Sequence, residues 1–347
     1  MSRNQLTDLL DIGEPILIGA FGGVSSVELT ATVSDLGGLG SYGLYGYDAD
    51  RIAETVAALR AATSAPFAVN LWVPTGDEVR PSDVELGPAL AAAQPLFDDV
   101  DLPLPDPPQA FLPDFDAQIE AVLEAAPPVV SFVFGLPDRS VMDRLQAAGI
   151  RVLGTATTVA EAVHLAEHGA DAIIATGSEA GGHRVSFLRP AEDSLVGTFV
   201  LVPQVVDAVE VPVVAAGGIA DRRGVAAALA LGADGVLVGT AFLRTRQSAA
   251  SQAHRQAIAA AGDTGTILTT AMSGRLSRGV PNRAVEVLSE ARQIAPFPAQ
   301  NWLTGQFRAV ANREGIGTLQ SLWVGQGAGL TRYAETAEVF AELRAGL

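Results

Sequence analysis

Short apolar runs recur eight times along this chain, each followed by an alanine-rich segment of helical periodicity. The runs fall at 16–20, 39–42, 66–71, 129–134, 151–155, 171–175, 212–216 and 235–238. Their positions are apolar in succession rather than alternating, which suits parallel strands buried on both faces. Helical patterns cover 26–36, 49–62, 117–125, 139–148, 159–168, 199–209 and 222–231. Eight βα units in this order predict an α/β fold, a (β/α)8 TIM barrel, with a doubly wound sheet as the alternative. In a barrel, function gathers where the strands end at their C-termini.

Two regions break the rhythm. Residues 73–114 are rich in Pro and Asp and read as an insertion or lid at the third strand. After Thr240, a long interval precedes a final helix at 331–344. The expected layout is a barrel over 10–242 completed by 327–347, with 243–326 as a small helical subdomain.

Composition removes several chemistries. All 22 basic residues are arginine, and there is neither lysine nor cysteine. Schiff-base chemistry, a pyridoxal-phosphate anchor and a Walker-A lysine are therefore excluded. So are a thiolate nucleophile, an iron–sulfur cluster and a disulfide. A net charge of −17 argues against nucleic acid as a partner. No run of apolar residues is long enough for a membrane span, and the first residues lack a signal core, so a cytoplasmic protein is the default expectation.

The sixth apolar run breaks into Ala-Thr-Gly-Ser-Glu-Ala-Gly-Gly-His-Arg at 175–184. Glycines here let the backbone approach a ligand, and His183 is the residue best placed to move a proton near neutral pH. Arg184 reads equally as an anion hold for substrate or as rim charge. The seventh strand runs into Gly217-Gly218, and the eighth into Gly239-Thr240. Glycines at these two consecutive strand ends suit a phosphate held by backbone N–H groups, and Asp221 suits the N-cap of the next helix.

Other features read as structural. His164 and His168 match a zinc-helix pattern, but no third ligand is apparent and the helix lies outside the barrel, so no metal is expected. His254 reads as a surface residue. Trp72, Trp302 and Trp323 read as packing, although Trp72 is near a strand end.

With these elements in order, the chain resembles the nitronate monooxygenase family over nearly its whole length. The matching segments are PILIGAFGGVS at 15–25, GGLG at 37–40, PFAVNL at 66–71, SFVFGLP at 131–137 and GTATT at 154–158. GSEAGGHR at 177–184, AGGI at 216–219, VGTAF at 238–242 and SLWVGQGAGL at 321–330 follow. The resemblance implies FMN, with its phosphate at Gly217, Gly218, Gly239 and Thr240. It implies backbone of Ala20, Phe21 and Gly22 against the flavin ring, a hydrogen bond from Asn70, and a lining of Thr176, Gly181 and Gly182. His183 matches the family's active-site histidine, acting as a base or a substrate-orienting group. The implied reaction is oxidation of an alkyl nitronate, and of nitroalkanes if a base first removes the α-proton, by O2 to a carbonyl compound and nitrite. If His183 is that base, activity on the neutral substrate should fall as pH drops through its pKa.

The chain departs from the family at Phe21, Val133 and Thr176, where relatives often carry methionine, histidine and glutamine. Without lysine, the electropositive partner of a reduced flavin must be arginine, backbone dipoles or His183. Two other functions share this fold and loop: an FMN-dependent NAD(P)H reductase of a quinone or enoyl thioester, and a flavin-binding protein without turnover. Oligomerisation is compatible with either.

Overall fold

The computed structural model describes residues 4–347. Its strands are β1 (Ile16–Ile18), β2 (Gly40–Gly43), β3 (Phe67–Trp72), β4 (Val129–Val133), β5 (Arg151–Ala156), β6 (Ala172–Thr176), β7 (Gly182–His183), β8 (Val213–Ala216), β9 (Gly235–Val238), β10 (Ile267–Thr269) and β11 (Ser277–Gly279). Eight of them form one parallel sheet in the order β1-β9-β8-β6-β5-β4-β3-β2. A parallel bridge between Leu17 and Leu39 joins the two ends, with Leu39 N–H donating to the Ile16 carbonyl at 3.0 Å. The sheet is thus a TIM barrel, as the apolar rhythm predicts.

Strand residues divide by parity. Ile16, Ile18, Ile173, Ala175, Val213 and Ala215 pack outward against the helices. Leu17, Leu153, Ala172, Ile174, Val214 and Ala216 fill the interior. Both faces are therefore buried, which is why the sequence shows runs rather than alternation. The helix Gln5–Leu10 adds Leu6 and Leu10 to the interior cluster.

Helix starts follow side-chain chemistry. Ser26, Asp48, Asp114, Asp138 and Thr158 each accept an N–H of the first turn. Asp221 does the same for Arg222–Ala230, accepting from Arg223 N at 3.0 Å. The last helix, Thr336–Arg344, packs Val339, Phe340 and Leu343 into the outer barrel core.

The segment 73–114 does not stand apart. Leu86, just before its helix Gly87–Asp98, joins Leu96 and Phe97 of that helix in one cluster with Leu288, Leu303 and Phe307 from the helices Arg283–Ala291 and Ala299–Glu314. The interval after Thr240 is mainly helical, but it also supplies β10 and β11. These form an antiparallel sheet in the order β10-β11-β7, with Ser277 opposite His183. Strands of three residues are too short to announce themselves by period, and their pairing is long-range. No helix among the described residues is long and apolar enough to cross a membrane.

Candidate active site

A cavity of about 430 Å³ opens at the C-terminal ends of the barrel strands. All the glycines expected there line it: Gly22, Gly181, Gly182, Gly217, Gly218 and Gly239. So do Ala20, Phe21, Asn70, Thr176, Thr240 and His183. The fold thus brings together residues from five different strand ends.

At one end, the chain leaves β8 through Gly217 (φ +103°) and Gly218 (φ +72°). Both angles lie in the left-handed region that glycine adopts without strain. Among the described residues, the N–H groups of Gly218 and Ile219 have no backbone or side-chain acceptor. Glu179 lines this end, but its carboxylate is committed: it accepts Thr198 N–H at 3.0 Å, and Thr198 Oγ1 lies 2.9 Å away. Thr198 Oγ1 is also 3.0 Å from the Gly217 carbonyl, so the loop is braced from behind. Gly325 and Gly327 complete the wall, and Gly325 N–H donates to Thr240 Oγ1 at 3.0 Å.

Mid-cavity, Asn70 Nδ2 donates to the Ser131 carbonyl and lies 3.0 Å from Ser131 Oγ. That fixes the carboxamide and leaves its Oδ1, open to the cavity, without a donor among the described residues.

The other end is aromatic. His183 contacts Trp72 edge-on at 4.9 Å and Trp323 at 5.3 Å. Its Nε2 lies 2.8 Å from Ser273 Oγ. Ser273 Oγ also lies 3.1 Å from the Arg275 carbonyl, so one hydroxyl ties the imidazole to that turn. Burial, then the charges of Arg275 and Arg308, push the imidazole down to about 3. The ring is therefore neutral across the physiological range.

Arg275 sits between Phe134 and Phe297, 4.5 and 4.1 Å from the ring centres, and pairs with Asp77 and Glu78 of the inserted segment. Arg308 lines the cavity from the helix Ala299–Glu314, and burial pushes its guanidinium down to about 10.

Four side chains stand where the residue pattern did not put them. Arg184 is neither an anion hold nor rim charge. It is 1 % exposed, does not line the cavity, and donates to the Gly177 carbonyl at 2.7 Å and the Thr176 carbonyl at 3.1 Å. Alternation about β7 turns it away from His183 and under the loop. His254 is buried, with Nε2 3.1 Å from the Trp323 carbonyl. Trp72 and Trp323 are cavity walls as well as packing; Trp302 packs on Phe111. His164 and His168 stack on the outer helix, and no group of three His, Cys, Asp or Glu among the described residues could hold a metal.

Arg308, Asn301 and Tyr45 also line the cavity and carry no local signature. Ser131, Thr155, Gly325 and Gly327 lie in segments already singled out.

The nitronate monooxygenase family model matches residues 3–346. The chain belongs to the nitronate monooxygenase family. It is 40 % identical over 334 residues to a "probable nitronate monooxygenase" of Staphylococcus aureus (strain JH9), covering 94 % of this chain and 92 % of that one. Among solved structures, it resembles nitroalkane oxidase from Streptomyces ansochromogenes, with TM-score 0.88 and 36 % identity, covering 99 % and 98 % of the two chains. FabK from Thermotoga maritima is similar at TM-score 0.76 and 29 % identity, covering 99 % and 95 %. As a member of the nitronate monooxygenase family, the protein is an oxidoreductase enzyme.

Proposed function

We propose that this enzyme oxidises alkyl nitronates with O2, giving a carbonyl compound and nitrite, on FMN bound in the barrel cavity. The observation that carries the reading is the cavity itself, which joins side-chain-free strand tips at one end to a neutral imidazole and an arginine at the other. Its volume of about 430 Å³ suits a cofactor-sized ligand.

The residues fit the group. The free N–H groups after β8, with Gly239 and Thr240 at the end of β9, would hold the phosphate without a lysine. Backbone of Ala20, Phe21 and Gly22 would flank the ring system, with Thr176, Gly181 and Gly182 lining it. The fixed Asn70 carboxamide offers an acceptor to a ring N–H. When bound, FMN supplies the electron transfer that the side chains lack.

The protein supplies position and field. An imidazole pushed down to about 3 is a weak base for a carbon-bound proton, so the preformed nitronate is the favoured substrate and the neutral nitroalkane a poor one. His183, fixed by Ser273 and two tryptophans, orients the substrate. Arg184 holds the Thr176–Gly177 backbone in place from behind the cavity.

The similarity to FabK keeps a second reading in play, an NAD(P)H-driven reductase of a quinone or enoyl thioester. Anaerobic mixing of purified protein separates the two. Nitronate alone should bleach the flavin absorbance, and readmitted O2 should restore it with nitrite formed. Fast bleaching by NADH with none by nitronate would overturn the proposal, as would protein that releases no FMN on denaturation.

A further inference from the structure

Among the described residues, no carboxylate serves Arg308 as a counter-ion. Its Nη2 donates to the Asn301 carbonyl at 2.9 Å and to Asn301 Oδ1 at 2.7 Å, and its Nη1 donates to Ser321 Oγ at 3.0 Å. Its Nε is buried with no hydrogen-bond partner among the described residues. A guanidinium has five N–H donors, so Nε–H and one Nη1–H are unspent. No carboxylate among the described residues pairs with it. The ionisable groups that face it are Tyr45, a phenol kept neutral because burial pushes it up to about 12, and the neutral His183. Arg275, the other cation near His183, is already paired with Asp77 and Glu78.

A half-buried charge left without a partner is unfavourable, and an unspent donor adds to the cost. The charge is relieved by an anion entering the cavity that Arg308 lines, while the enclosed Nε–H stays out of its reach. The space beside Arg308 is walled by Tyr45, Trp72 and Trp323, with Tyr45 and Trp72 in contact at 4.3 Å. Such walls favour a flat, apolar substituent over a hydrated one. Tyr45 is itself held, because Asn301 Nδ2 donates to its hydroxyl at 2.9 Å. Asn301 therefore fixes the cation and the aromatic wall together.

We infer that Arg308 forms an anion subsite for a planar monoanionic XO2 group, nitronate or carboxylate, whose apolar substituent lies against Tyr45, Trp72 and Trp323. The nitronate half of this statement rests on the proposed function; the subsite does not. Carboxylates of the same outline should occupy it without reacting, as competitive ligands.

Calorimetric titration of the purified flavin-loaded protein with butanoate and with butanamide tests this directly. The two probes share a shape and differ in charge. Butanoate should bind about 10- to 100-fold more tightly than butanamide, the range of a charge-assisted hydrogen bond. Arg308→Met should erase that preference, and Arg308→Lys should keep part of it. Equal binding of the two probes to the wild type overturns the proposal, as does a preference that survives in Arg308→Met. A strut without a ligand role would lower the melting temperature of both variants and leave the preference unchanged, which also overturns it. If Arg308→Met fails to fold, the wild-type comparison and Arg308→Lys still decide. The titration needs no turnover, so a protein that nitronate does not bleach can still show the preference, and the two readings fail separately.

Discussion

The two ends of the cavity are built on opposite plans. The glycine end uses backbone: turns at Gly217 and Gly218, open N–H groups, and one carboxylate tied to a helix start. The aromatic end uses side chains: Tyr45, Trp72, Trp323, His183 and Arg308, drawn from strands, loops and a helix far apart in sequence. Backbone recognition depends on φ angles, and at Gly217 and Gly181 it leaves no room for a Cβ. Side-chain recognition depends on packing behind the wall and can be tuned residue by residue. The first plan suits a constant ligand, the second a variable one.

The largest expected effect breaks the glycine end. A Cβ on Gly217 would lie 2.7 Å from Thr198 Oγ1, at a φ of +103°. Gly217→Val should therefore yield nearly colourless protein, because the strain alone costs about 1–3 kcal/mol and the turn must move. A variant with normal flavin absorbance would show that the amides are not the grip. Next, Arg184→Leu strands two carbonyls beneath the Thr176–Gly177 backbone, and should cost about 2–3 kcal/mol in urea unfolding. A change under about 0.5 kcal/mol, the range of an ordinary surface substitution, would return Arg184 to the rim.

His183→Asn probes the aromatic end alone. Flavin content should hold while kcat/KM on a nitronate falls about 10- to 100-fold, the cost of misplacing a bound substrate. In the wild type, kcat/KM on preformed nitronate should be flat from about pH 5 to 8, since the ring protonates only near 3. An inflection between 6 and 7 that vanishes in His183→Asn would show a ring that titrates. The stability sign agrees. The folded-state pKa lies below the ordinary histidine value, so the unfolded chain takes the proton first. Stability from this group is complete above about 6.5 and drains as pH falls toward 3, and the variant should lose less on acidification.

The smallest effects sharpen the boundary of the aromatic end. Arg275 is 11 % exposed and pairs with Glu78 at 17 % and Asp77 at 73 %. Glu78→Gln should lower stability by about 1 kcal/mol, and Asp77→Asn by under about 0.5 kcal/mol, in matched thermal melts. The reverse order would mean that the exposed carboxylate closes this edge.

The same contrast explains what the residue string disclosed. Barrel strands announce themselves because each is a local apolar run, and glycines at 217, 218 and 239 mark strand ends that any reader can place. His183 follows because its loop is contiguous with β6. Arg308 shares its helix with Gln306 and Arg313, and in sequence it looks like a solvated face. Its role depends on Asn301 meeting Tyr45, a contact spanning most of the chain. The absence of lysine said that the cation must be arginine, but not which one. Arg184 was misplaced for a related reason: adjacent residues on a strand point oppositely, and β7 is too short to show its period.

The molecule carries a net charge of −17, yet its cavity holds the guanidinium of Arg308, which meets no carboxylate among the described residues. An incoming anion is repelled at long range and welcomed only in the last few ångströms. Salt screens the first effect over a Debye length of about 10 Å at 0.1 M and barely touches the second. Capture of an anionic ligand should therefore quicken as ionic strength rises, the reverse of an enzyme whose outer field draws its substrate in.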